Sequence, residues 1–301
     1  MSSKFDIWKD KVKTGPRRTQ INMSMQPTHK ISISGQFDIG GNEKFALIAG
    51  PCAIESESMS LMVAEKLKRI CEDLNIHFVF KSSFDKANRT SIFSPRGVGI
   101  TKGLEILQKV KKEFNLPVIT DVHECWQCTP VGEVADIIQI PAFLSRQTDL
   151  LVAAAQTGKV VNVKKGQFMA PWDMKNIILK LEEVGNKQIL LSERGSSFGY
   201  NNLVVDMTGL VEMNSYGYPV IFDATHSVQK PSGQGSSTGG NREMVFPLIR
   251  AALAVGVDAI FAEVHPDPDH ALSDGPNQLR LDSVRDILLK AIEIDKIIKE
   301  E

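Results

Sequence analysis

The stretch Phe45-Ala-Leu-Ile-Ala-Gly50-Pro-Cys52-Ala-Ile-Glu55-Ser56 decides how the rest of the chain is read. It opens as a short apolar run, the pattern of a β-strand buried on both faces. Gly50-Pro51 ends the run, since proline has no N–H to give to a sheet ladder. Cys52 follows at once, so a soft, ionisable side chain sits where a buried strand emerges. Taken alone, it reads as nucleophile, metal ligand or packing residue.

Working outward, seven similar runs follow, at 77–80, 117–120, 136–140, 160–163, 188–191, 218–222 and 259–261. Between them lie helix-like stretches, among them 59–73, 103–114, 175–183, 242–255 and 283–299, whose apolar residues recur at threes and fours. Eight strands, each followed by a helix or long loop, predict an all-parallel sheet, and the length suits a closed (β/α)8 TIM barrel. The competing open doubly wound sheet would carry a Gly-rich fingerprint after its first strand. Gly50-Pro51-Cys52 is not one. Upstream, residues 30–41 alternate apolar and polar about Ser34-Gly35, which predicts a β-hairpin lying against the barrel. Residues 1–28 read as a polar extension carrying Arg17-Arg18, and 29–301 as a single barrel domain that includes the hairpin.

Composition narrows the function classes. The 301 residues are 42% apolar and 24% charged, with a formal net charge of -1. No global basic field points to nucleic acid or to a membrane surface, so any anion site must come from local clustering. The start of the chain lacks the apolar core of a signal peptide, and no run is long enough for a membrane helix. Four cysteines in a chain of this length do not make a disulfide framework. A reduced cytoplasm is expected.

In a (β/α)8 barrel the chemistry sits at the carboxyl ends of the strands. Ionisable residues follow seven of the eight runs. Strands seven, eight and one become neighbours on closure and offer Cys52, His226 and Glu263, with Asp274 in the loop after strand eight. A thiolate, an imidazole and carboxylates suit a borderline divalent ion such as Mn, Fe or Zn. The opposite arc carries Lys81, Lys86, Arg89, Lys164 and Arg194. Several cations buried together need anionic partners, so an anionic ligand is expected there, with Asp85, Glu193 and Asp223 as the alternative partners.

Other signals are assigned elsewhere. Cys125-Trp-Gln-Cys128 has CxxC spacing but no second pair, and reads as structural. The glycine-rich segment 232–240 is too irregular for a phosphate loop and reads as a lid. His77 reads as a strand start and Cys71 as helix core.

Gly50-Pro-Cys-Ala-Ile-Glu-Ser56, Phe80-Lys-Ser-Ser-Phe-Asp-Lys-Ala-Asn-Arg89 and Gln139-Ile-Pro-Ala-Phe-Leu-Ser-Arg-Gln-Thr-Asp149 resemble the 3-deoxy-D-manno-octulosonate 8-phosphate synthase family. So do Asn162-Val-Lys-Lys-Gly-Gln167, Phe198-Gly-Tyr-Asn-Asn-Leu-Val-Val-Asp206 and Asp223-Ala-Thr-His-Ser-Val-Gln229. The resemblance implies a (β/α)8 barrel, usually a homotetramer. It implies condensation of phosphoenolpyruvate with arabinose 5-phosphate, releasing phosphate, in lipopolysaccharide biosynthesis. By the family pattern, the phosphoenolpyruvate phosphate lies near Lys164, Arg194 and the Ala142 backbone, and its carboxylate near Lys81, Ser83 and Lys86. Asn88 and Asp274 meet the sugar hydroxyls. Arg89, with Thr90 where the family commonly has serine, binds the sugar phosphate across a subunit boundary. Cys52, His226, Glu263 and Asp274 match the metal ligands, and Cys52 points to the metal-dependent class, since a second class has asparagine there. No organic cofactor is expected.

That reaction needs the third carbon of phosphoenolpyruvate to attack the sugar aldehyde. Lys86, His226 and Asp274 are the residues expected to carry it, with Lys86 protonating the developing alkoxide and His226 positioning water. Two rivals remain. A related synthase using erythrose 4-phosphate typically has Lys-Pro-Arg-Thr where this chain has Lys86-Ala-Asn-Arg89. An inactive sugar-phosphate-binding barrel would not require the four metal-type ligands.

Overall fold

Side chains alternate across a strand, so a strand buried on both faces must satisfy two different surroundings. The computed structural model describes residues 25–231 and 239–299 and shows how the alternation is resolved. Eight strands lie parallel in chain order: β1 (Ala46–Gly50), β2 (Phe78–Lys81), β3 (Val118–Asp121), β4 (Ile137–Ile140), β5 (Val160–Lys164), β6 (Ile189–Glu193), β7 (Val220–Asp223) and β8 (Ala259–His265). β8 pairs with both β7 and β1, which closes the ring, with Glu263 opposite Gly50. After each strand comes a helix: α1 (Glu57–Asp73), α2 (Ile100–Phe114), α3 (Cys125–Val134), α4 (Thr148–Gln156), α5 (Met174–Glu183), α6 (Met207–Asn214), α7 (Val245–Val255) and α8 (Val284–Lys299). The (β/α)8 barrel and its hairpin are both present.

One set of strand residues, including Leu47, Phe80, Ile138 and Phe222, packs outward under the helices. The alternate set, including Ile48, Val79, Ile119, Ile137, Val160, Leu190, Ile221 and Phe261, fills the barrel interior. The hairpin strands Ile31–Ile33 and Phe37–Ile39 add Ile31, Ile33 and Ile39 to that inner cluster. Ser34 and Gly35 both take left-handed backbone angles in the turn between them, as the sequence leads one to expect. The hairpin closes the end where the strands begin. His29 N–H donates to the Gly217 carbonyl at 2.7 Å, Ser34 Oγ to Asp136 just before β4, and Thr28 Oγ1 to Asp258 just before β8.

Every strand but β4 runs one to four residues past its apolar run. The added residues include Lys81, Asp121, Lys164, Glu193, Asp223 and Glu263, so much of the chemistry lies inside the ladder rather than after it. At β1 the extension reaches Gly50, where a β-carbon would come within 2.0 Å of the Lys81 carbonyl oxygen. Only glycine fits there, and the close approach brings Cys52 beside β2. Ser56 Oγ then caps α1 through the Met59 N–H at 3.2 Å, starting that helix at Glu57 rather than 59. Residues 1–24, most of the expected extension, and 232–238, most of the expected lid, lie outside the described residues. Gly239–Gly240 pairs antiparallel with Gln229–Lys230.

Candidate active site

The mouth of the barrel is reached by stepping two residues beyond the last apolar side chain that points inward. That step leads from Val79 to Lys81, Ile119 to Asp121, Ile137 to Gln139, Leu190 to Ser192, Ile221 to Asp223 and Phe261 to Glu263. β5 offers Asn162 and then Lys164. These polar groups are buried and cross-bonded. Ser192 Oγ donates to Asn162 Oδ1 at 2.7 Å, and Asn162 Nδ2 to Gln139 Oε1 at 2.9 Å. Gln139 Nε2 and Ser83 Oγ both donate to Asp121. Burial would push the Asp121 carboxyl up, but Lys86 and Lys81 outweigh it and hold it well below the usual carboxylate range.

On the β7–β8–β1 side, ligand atoms of Cys52, Glu263 and Asp274 lie within 4.8 Å of one another, a group that could hold a metal ion. Cys52 Sγ is 3.1 Å from Ser273 Oγ and 3.7 Å from Asp274 Oδ2. Glu263 Oε1 takes the Lys81 ammonium at 2.6 Å, while Glu263 Oε2 is buried with no partner among the described residues. His226 Nε2 stands 3.6 Å from Glu263 Oε1 and 3.8 Å from Asp274 Oδ2, and its Nδ1 sits 2.8 Å from Asp223 Oδ2. A carboxylate behind a histidine fixes which ring nitrogen faces forward. Burial, and then the charge of Glu263, push the Cys52 thiol far above its ordinary value. A coordinated divalent ion is the partner that reverses that preference.

The cation side opens onto a cavity of about 620 Å³. Its walls include Lys81, Lys86, Asn88, Arg89, Thr90, Ala142, Lys164, Arg194, His226 and Asp274. Lys164 Nζ lies 2.6 Å from Asp223 Oδ2 and 3.9 Å above the Phe261 ring centre, where the apolar interior meets the ionic mouth. Burial lowers the Arg194 guanidinium from its ordinary value, and one of its amino groups donates to Gln229 Oε1 at 2.6 Å while Nη1 is buried without a partner among the described residues. Arg89 bonds Ser273 Oγ at 2.9 Å and the Leu272 carbonyl at 3.3 Å, and its Nε is also unpartnered. Lys86 Nζ stands 3.6 Å from Glu263 and 3.9 Å from Asp121. Burial opposes its charge, but Cys52, Glu263 and Asp121 raise it well above the ordinary lysine value.

The structure therefore brings ten of the expected residues to one cavity. Cys52, Ser83 and Glu263 are buried and do not line it. Lys81, read as part of the cation arc, has its ammonium on Glu263 and on the Cys52 carbonyl at 3.0 Å. Gln229, Ser273 and Gln278 join the site without a sequence signal of their own. Gln229 Nε2 donates to Asp274 Oδ2 at 3.1 Å, and Gln278 accepts from the Cys52 N–H at 3.2 Å and holds the Ser273 carbonyl at 2.6 Å. Neutral residues in loops carry no chemical signal until the loops are folded. Of the CxxC pair, Cys128 is buried and its thiol is pushed up to about 11 by that burial, whereas Cys125 is exposed.

Fold and mouth together define a (β/α)8 barrel with a cation-lined cavity beside a thiol–carboxylate cluster. The chain belongs to the DAHP synthetase I family, whose model matches residues 22–300. A protein of Fusobacterium nucleatum subsp. nucleatum called 2-dehydro-3-deoxyphosphooctonate aldolase is 61% identical over 277 residues, covering 92% of this chain and 99% of its own length. Proteins of the same name from Rickettsia typhi, 60% identical over 272 residues, and Geobacter sp. strain M21, 57% over 273 residues, cover 90% and 91% of this chain and 99% and 100% of their own.

Proposed function

We propose that the chain is a transferase with the activity named for these relatives, joining phosphoenolpyruvate, arabinose 5-phosphate and water into 3-deoxy-D-manno-octulosonate 8-phosphate and inorganic phosphate for lipopolysaccharide biosynthesis. The observation that carries the reading is the single cavity on which the cations and His226 meet, with unpartnered guanidinium N–H groups on Arg194 and Arg89. A buried donor without an acceptor is costly, and phosphate or carboxylate oxygens would supply one.

In this reading Lys164 and Arg194, on adjacent strand ends, hold the phosphoenolpyruvate phosphate with the Ala142 backbone. Lys81 and Lys86 act on its carboxylate, and Ser83, whose Oγ donates to Asp121, serves that corner from behind the wall. Asn88 and Asp274 meet the sugar hydroxyls, and Arg89 and Thr90 its phosphate. The cations offset the repulsion between two anionic substrates and set the distance between the reacting carbons. Carbon three of phosphoenolpyruvate then bonds to the aldehyde carbon, and Lys86 gives its proton to the alkoxide, which is basic enough to take it even from a lysine held well above its ordinary value. Water adds at carbon two, and phosphate leaves with the bridging oxygen. Asp223 holds His226 Nδ1 and leaves only Nε2 facing Glu263 and Asp274, so with Nε2 on an ion His226 would place that water by lining its pocket and not by a hydrogen bond of its own.

Cys52, Glu263 and Asp274, joined by His226 whose Nε2 stands 3.6 Å from Glu263 and 3.8 Å from Asp274, would hold a divalent ion, for which the Glu263 Oε2 and the soft thiol are suited, and Mn, Fe or Zn would supply a Lewis acid there. Chelation should strip both metal content and activity, and Mn, Fe(II) or Zn should restore them; full activity in metal-free protein would contradict the assignment. Phosphate release with phosphoenolpyruvate should be at least about tenfold faster with arabinose 5-phosphate than with erythrose 4-phosphate. The reverse ranking, or no release, would overturn the function. No described helix is long and apolar enough to cross a membrane, and a cytoplasmic homotetramer suits the reading. Exposed Ile92, Phe93, Phe168 and Tyr200 on the mouth loops support self-association. Light scattering should give about four times the chain mass of 33.2 kDa, and a monomer would contradict it.

A further inference from the structure

Two buried charges sit beside the cavity and take no part in lining it. Lys165 is 0% exposed and Glu193 2%. Each is the chain neighbour of a residue that does line it, Lys164 and Arg194 respectively. The alternation of the strands turns Lys164 and Arg194 to the mouth and their neighbours away from it. Lys165 N–H donates to the Ser192 carbonyl at 2.8 Å, continuing the β5–β6 ladder beyond Lys164. Its ammonium lies 3.6 Å from Glu193 Oε1 and donates to Ser196 Oγ at 3.0 Å and to the Met169 carbonyl at 3.2 Å. Glu193 Oε1 also accepts the N–H of Arg194 at 2.9 Å and of Gly195 at 2.5 Å.

One carboxylate oxygen therefore fixes the turn that carries Arg194. One ammonium ties that oxygen to the segment that leaves Lys164. With no exposed surface, no place on the cavity wall, and Glu193, Ser196 and the Met169 carbonyl around its ammonium, Lys165 is turned away from any anion in the cavity. A buried ion pair is also a poor source of net stability, because desolvation offsets the attraction. What it does supply is a fixed distance between two strand ends.

We propose that Lys165 and Glu193 are a positioning pair that sets the spacing of Lys164 and Arg194, and through them the grip on the phosphate of phosphoenolpyruvate. The proposal rests on the reading of Lys164 and Arg194 as phosphate ligands. Neither partner touches the reacting atoms, so their loss moves one substrate's binding rather than the chemistry.

The test is steady-state kinetics on Lys165→Met, Glu193→Gln and the double variant, with inorganic phosphate as inhibitor and thermal melting in parallel. The KM for phosphoenolpyruvate and the inhibition constant of inorganic phosphate should both rise about tenfold, since small misplacements of a binding group are costly. The KM for arabinose 5-phosphate should stay within about twofold, and the double variant should be no worse than the poorer single one. Equal rises in both KM values, or a lowered melting temperature with neither KM changed, would overturn the proposal. Should Lys165→Met fail to fold, Glu193→Gln, which keeps the shape and removes only the charge, carries the test alone. Arg194→Met separates the phosphate reading from the positioning pair. If it leaves the phosphoenolpyruvate KM unchanged, the phosphate reading falls and the positioning pair with it; if it raises that KM while Glu193→Gln does not, only the positioning pair falls.

Discussion

The two ends of the barrel use the same side chains for opposite purposes. At the end where the strands begin, buried carboxylates serve the backbone. Asp136 accepts the N–H that opens β3 at 2.9 Å, Asp258 the one that opens β7 at 2.8 Å, and Asp295 the Phe45 N–H ahead of β1 at 3.1 Å. The hairpin then seals that end with Ile31, Ile33 and Ile39. At the mouth, Asp121, Asp223 and Glu263 face Lys86, Lys164 and Lys81, and guanidinium N–H groups are left without partners among the described residues. Buried charge satisfied by the chain itself fixes structure. Buried charge left partly unsatisfied asks for something from outside.

The contrast breaks if a mouth residue turns out to be structural. Arg194→Met removes a cation whose bonded partner is neutral Gln229, so it orphans no charge. Phosphate release should fall about 100- to 1,000-fold, as when a preorganised charge contact is lost, with little change in melting temperature. A large loss of stability would place Arg194 with the scaffold instead.

The opposite outcome is expected at the sealed end. Ile33→Ala, at a fully buried hairpin position, should cost about 2–4 kcal/mol of stability by leaving a cavity. Turnover at 25 °C should stay within about twofold, because nothing at the mouth moves. Denaturant unfolding beside an activity assay checks both, and activity lost in step with stability would erase the distinction between the ends.

A smaller effect sharpens the comparison through pH. Burial raises the Asp258 carboxyl to about 6. The folded chain then holds a proton that the unfolded chain releases, so this group's contribution is greatest at low pH and falls as pH rises from about 4 to about 6. The full change is about 2–3 kcal/mol, from 1.4 kcal/mol per unit. Asp258→Asn should flatten that part of the stability profile; an unchanged slope would mean Asp258 is not its source.

Much of this is legible in the residues. Eight apolar runs give the barrel, and the residues just after each run include the cations, Cys52, His226 and Glu263. The runs stop short of the strand ends because Lys81, Asp121 and Glu263 read as the end of a buried strand, whereas each is the next inward position of one. Counting by twos from Val79, Ile119 or Phe261 reaches them. The side of the barrel that Ser83 faces is less open to reading, since two serines stand together at 82–83 and only the fold turns Ser83 onto Asp121. Which end the hairpin seals, and the service of Gln229 and Gln278 to Asp274 and Cys52, depend on loop paths that no local pattern encodes.

On the proposed function, the charges of the mouth are arranged for phosphoenolpyruvate. Thermal unfolding with and without that ligand tests it most directly. At about one hundred times its dissociation constant it should add about 2.7 kcal/mol to the stability of the native chain, and far less at the same concentration to Arg194→Met. No shift in the native protein, or an equal shift in the variant, would contradict the account.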